Sequence, residues 1–190
     1  MIAYAAAAVF LSLVSGQAQP SSDGPIATVN RAETADAQRM REALAYARDL
    51  PPGAPTEDYP LVAWCEALVS GHVATGESLS QPDELDREII RLGRLEAADF
   101  RTALDAAQDR ATAAQKSAAQ AAAADARAKW APVLENADEA ARSQVFGLFY
   151  GLPGRCEHAA RRVRMNISSA PAALRDVGLD ESGLPSGATR

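Results

Sequence analysis

The sequence predicts an all-α protein, an antiparallel bundle of about five helices that includes one long alanine-rich helix. Four observations carry this. Roughly one residue in five is alanine, only 5% are aromatic, and the apolar residues recur at helical rather than alternating spacing. Proline and glycine are concentrated in a few short clusters that punctuate the chain.

Met1 to Ala18 reads as a signal peptide. Ile2 to Val14 is an apolar run of about a dozen residues, and Ser15-Gly16-Gln17-Ala18 then offers small residues where a signal peptidase cuts. No Lys or Arg precedes the run, which is a departure from the usual pattern. The run is shorter than the roughly 18 residues of a membrane helix, no later segment reaches that length, and no cysteine stands at the cut to take a lipid. The expectation is an exported protein, periplasmic or secreted, that does not span the membrane. Residues 19–30 form a polar linker, residues 31–168 the helical domain and residues 169–190 a mostly flexible tail with a short turn near Leu174.

The first helix is expected from about Arg31 to Asp49, with Met40, Leu44 and Ala47 on its core face. Leu50 to Pro55, rich in proline, ends it. Thr56 with Glu57, Asp58 and Pro60 opens the second, because a hydroxyl can accept an orphan N–H and proline suits a first turn. On that helix Leu61, Cys65, Leu68 and His72 share a seam. Ser80 with Pro82, Asp83 and Glu84 begins a third pattern, which runs to Trp130, where Pro132 interrupts it. Its core candidates are Leu85, Ile89, Leu92, Phe100 and Leu104, continued by Ala107, Ala111, Ala114, Ala118 and Ala121. A fourth helix covers about Ala137 to Tyr150 and a fifth about Arg155 to Ile167, with Cys156, Ala160, Val163 and Ile167 inward.

Both cysteines therefore sit on apolar seams of separate helices, and in an oxidising compartment Cys65 and Cys156 should form a disulfide. A third helix continuous from Gln81 to Trp130 would be about 75 Å long and would leave the two cysteines ~16 Å out of register. A disulfide needs Cα atoms within roughly 7 Å. The third helix must bend, the fifth must tilt, or both.

No catalytic, metal or nucleotide motif stands out, and no cofactor or metal is expected. Cys65, His72, Cys156 and His158 are the ligand types of a zinc site, yet helical spacing spreads them too widely to converge. His72 reads as a hydrogen-bonded core histidine, and Trp64 and Trp130 as core anchors. A net charge of −6 argues against nucleic acid. Arg155, His158, Arg161, Arg162 and Arg164 form one basic concentration. It is a candidate surface for an anion or a partner, or else a solvated face balanced by acids such as Glu135, Asp138 and Glu139. Two function classes remain. The first is a non-enzymatic protein that binds or scaffolds a protein or other envelope component; the alternative is a small envelope enzyme or ligand carrier with a site near His72, Glu66 and the basic fifth helix. Export has a direct check: mass spectrometry of the exported protein should find its N-terminus near Gln19, whereas a mature chain retaining Ala5 to Val14 would contradict it.

Overall fold

A single helix sits at the centre of the bundle. The computed structural model describes residues 33–149 and 151–181, and those from Thr34 onward belong to one compact unit. Met1 to Ala18, and the linker after it, lie outside the described residues. The chain forms α1 (Ala35–Ala47), α2 (Asp58–Glu77), α3 (Glu84–Ala107), α4 (Ala113–Leu134), α5 (Glu139–Gly147), α6 (Arg155–Arg164) and a 3-10 turn at Leu174–Val177. The fold is all-α, as predicted.

The helix α2 touches α3, α4, α5 and α6, and 12 of its 20 residues are buried. Its apolar residues are spread around the whole circumference, and a helix of that kind is stable only when neighbours cover every side. Leu61, Cys65 and His72 are buried and Leu68 is half-buried. No side chain caps its start. Thr56, the predicted cap, instead turns its carbonyl oxygen to Arg155, whose Nη2 donates to it at 2.6 Å.

The predicted third helix is two helices. Residues 108–112 reverse the chain between α3 and α4, and the cause is local: Thr112 and Gln115 form a reciprocal capping box. Gln115 N–H donates to Thr112 Oγ1 at 3.2 Å, and Thr112 N–H to Gln115 Oε1 at 2.9 Å. After the reversal α4 runs beside α2 in the same direction, with Lys116 and Ala119 near Tyr59 and Trp130 against Gly71. The reversal removes the register conflict. Cys65 and Cys156 form a disulfide with an S–S distance of 2.07 Å and a Cα separation of 6.1 Å. Pro132 does not end α4, which continues to Leu134. The proline faces solvent, so the carbonyl that loses its N–H partner can be hydrated.

The buried stripes match those predicted only in part: Phe100 and Ala107 are buried, and Leu44, Ile89 and Leu104 are half-buried. On α3 the buried residues are Ile90, Gly93, Ala97, Phe100, Ala103 and Ala107, whereas Leu85 and Leu92 are 67% and 50% exposed. Close packing explains the choice. A Cβ on Gly93 would lie 2.7 Å from Val73 Cγ2, so α3 meets α2 on a face that a leucine would hold away. On α4 the buried alanines are Ala119, Ala122, Ala123 and Ala126, while Ala114, Ala118 and Ala121 face solvent; the break at 108–112 reset the helical phase. On α1 the buried residues are Glu42 and Ala43, and the predicted Met40 and Ala47 are exposed. After α6, the 3-10 turn packs on α1 and Leu179 is buried. No helix among the described residues is long and apolar enough to cross a membrane.

The disulfide is the covalent tie between α2 and α6, and it closes a long loop. Cys65→Ser or Cys156→Ser should each lower the unfolding free energy by about 2 to 5 kcal/mol. Reducing the wild type should reproduce that loss and add nothing to either variant in denaturant titrations.

Candidate functional site

His72 is enclosed by aromatic rings. Phe146 and Phe149 stack on it with centroids at 4.5 and 4.3 Å, and Trp130 lies 6.0 Å away. Its Nε2 is 3.0 Å from the Phe146 carbonyl oxygen; since that oxygen can only accept, Nε2 carries the proton and donates. Trp130 reaches this position because Gly71 has no side chain: a Cβ there would lie 2.1 Å from the indole Cδ1. Burial holds the imidazole below its ordinary range, with the carbonyl acting in the opposite direction. The ring joins α2 to α5, in keeping with a hydrogen-bonded core histidine. Trp64 and Trp130 are buried as well.

Glu66 belongs to different surroundings. Ser70 Oγ donates to it at 2.9 Å and Arg101 pairs with it at 3.6 Å, beside a surface cleft of about 360 Å³ that includes Lys116 and Arg127. Among the described residues it shares no partner group with His72, and the structure does not assemble the two as acid and base.

The basic residues of α6 are divided by the helix turn. Arg162 is only 6% exposed and lies at the centre of a polar network: Nη1 donates to Glu42 at 3.0 Å, Nε to Asp58 at 2.8 Å, and Nη2 to the Ser169 carbonyl. Tyr46 O–H donates to the other oxygen of Asp58 at 2.6 Å. Burial and then the Asp58 carboxylate push the Tyr46 phenol far above its usual range, so it stays a donor at physiological pH. Arg155 lies over the Tyr46 ring at 4.4 Å, Arg161 approaches Glu42 at 4.0 Å, and Arg164 pairs with Asp99. The balancing acids are therefore Glu42, Asp58 and Asp99, not the predicted Glu135, Asp138 and Glu139. Breaking such a buried pair by removing one partner typically costs about 3 to 5 kcal/mol, because the other charge is stranded.

His158 is only 4% exposed, and burial holds its imidazole below the usual range. It lines a cleft of about 420 Å³ between the C-terminal half of α1 and the start of α6. Arg155 borders this cleft and a second one, of about 460 Å³, that Arg162 and Arg110 also line. Cys65 and Cys156, joined to each other, offer no thiolate to a metal, and no group of three metal-ligating side chains converges among the described residues.

Sequence reasoning missed Glu42, Tyr46 and Asp58. The available signal was a charge out of place: Arg162 stands between Ala159 and Val163 on the inward side of α6, and Glu42 beside Ala43 on that of α1. No protein-family model matches the chain, and comparison with curated proteins and with solved structures finds no match to it.

The two histidines give stability a pH dependence of definite sign. A depressed folded-state pKa means that the unfolded chain binds protons more readily, so the His72 contribution is complete above about 6.5 and is lost as pH falls below it. Denaturation midpoints measured between pH 7.5 and roughly 5 should fall in the wild type. The slope should be shallower in His72→Phe, with a remainder from His158.

Proposed function

We propose that this protein works outside the cytoplasm, in the periplasm or after secretion, as a non-enzymatic helical module that binds or scaffolds another component of the cell envelope. The supporting observation is a filled core beneath an exposed apolar row. His72, the best candidate base in the sequence, is packed between phenylalanine rings and spends its N–H on a backbone carbonyl. Meanwhile Leu85, Leu92 and Leu95 are 67%, 50% and 57% exposed on one face of α3. Leucines seven and three residues apart lie on the same side of a helix, here interspersed with Glu88 and Asp99, and exposed apolar side chains rimmed by charged ones are a feature of partner-binding surfaces. The disulfide fits an oxidising compartment.

A test follows from the exposure of those leucines, since changes at exposed positions seldom move stability by more than about 0.5 kcal/mol. Mature wild type, immobilised and challenged with native envelope extract, should retain one component in near-equal amount. The double variant Leu92→Lys, Leu95→Lys should retain at least tenfold less of it while unfolding at the same denaturant midpoint. Equal retention by both proteins, or no component retained in quantity, would count against the proposal. A second reading, a carrier of a small ligand, is favoured by the cleft against α6.

A further inference from the structure

We propose that the cleft between α1 and α6 is a binding site for a singly charged carboxylate attached to an apolar body. The inference rests on the carrier reading and is independent of the α3 face. Four features of the cleft converge on this ligand. The first is His158: it is 4% exposed, lines the cleft, and among the described residues no protein group hydrogen-bonds its ring. Its ring nitrogens are not closed off from solvent, so the N–H is open to a carboxylate oxygen in the cleft.

The second is the start of α6, whose first turn has Gly154 before it and no side-chain cap. Gly154, Arg155 and Glu157 all border the cleft, so the positive end of the helix faces the same space as the imidazole, although the Cys156 N–H is already given to the Pro153 carbonyl at 2.8 Å. The third is charge. Arg41, Arg48 and Arg155 line the cleft against Asp49 and Glu157, three cations to two carboxylates, which leaves one positive charge in surplus. Arg41 pairs with Glu157 at 3.4 Å, and Arg155 is engaged with Thr56 and Tyr46, so Arg48, exposed at the end of α1, is the cation left for a ligand. A dianion such as a phosphate monoester would meet the two carboxylates with too little compensation.

The fourth is the remaining wall: Leu44, Leu50, Pro51, Leu152 and Pro153 are apolar. A bare inorganic anion would leave them wet, whereas an acyl chain or an apolar side chain would cover them. Two sources supply this chemistry, a fatty acid and the C-terminal end of a peptide with apolar last residues.

The test uses the mature full chain and imidazole nuclear magnetic resonance, which is direct here because the protein has two histidines. Octanoate and N-acetyl-leucyl-leucine are titrated, with octanol and the peptide's C-terminal amide as uncharged counterparts. The proposal expects saturable shifts of the His158 ring signals below millimolar concentration with at least one acid, unchanged His72 signals, and no saturation with either neutral probe. Arg48→Gln, a change at an exposed residue, should weaken the binding at least tenfold. Saturation by octanoate alone identifies a fatty-acid site, and saturation by the peptide alone a peptide-terminus site. Absence of saturation with both acids, equal binding of the neutral probes, or an Arg48→Gln variant that binds like wild type would overturn it. The α3 leucine variant should titrate as wild type, so failure of either proposal can be recognised separately.

Discussion

The bundle is organised by the need to cover one helix on every side. Since α2 is apolar around its whole circumference, α3, α4, α5 and α6 must all pack on it, and a ring of four neighbours fits only if some approach very closely. Glycines and alanines make the room. Gly93 admits Val73, Gly71 admits the Trp130 indole, and Gly76 admits Phe146 and Ile90. This one constraint accounts for the low aromatic content and for the use of alanine as the packing residue of α4. It also accounts for the leucines of α3 facing outward: the side of that helix that meets α2 has no space for them.

Two ties of different kinds hold α6 to this centre. The disulfide joins Cys156 to the middle of α2, and about two helical turns away Arg162 bonds Asp58 at the start of α2 and Glu42 on α1. The covalent tie constrains the unfolded chain, whereas the ionic one adds direction, since a guanidinium fork satisfies its acceptors in few orientations. Together they fix both position and rotation of a helix of only 10 residues, too short to be stable alone. That rotation places Cys156, His158 and Arg162 on the protein side, and Glu157 and Arg164 on the solvent side.

Helices and their punctuation were legible in the sequence, as was the pairing of Cys65 with Cys156, because both depend on local spacing. The register conflict between those cysteines and a continuous third helix was itself a signal of the α3/α4 reversal. Its location was written in Thr112 and Gln115, a capping pair concealed by the high helix propensity of the alanines around it. The core stripes of α1, α3 and α4 were legible only in part, for a physical reason. On α3 close approach gives Gly93, Ala97 and Ala103 inward places beside Phe100 while Leu85 and Leu92 point outward, and on α4 alanines are inward as expected but the break at 108–112 shifts which of them. The basic residues of α6 were seen as a group, but their acids lie 65 to 120 residues away in sequence, and no local pattern names them.

The same long-range pairings decide when the molecule can become complete. Glu42 and Asp58 receive their cation from Arg162, 120 and 104 positions later, and Cys65 its partner 91 positions later. A chain made or delivered from its N-terminus must hold its central helix, two carboxylates and a thiol without their partners until α6 has emerged. The closing helix, α6, is the last α-helix among the described residues, so assembly is governed by its arrival. A chain cut before Arg155 would lack the disulfide, the buried guanidinium and the wall of the α1/α6 cleft at the same time.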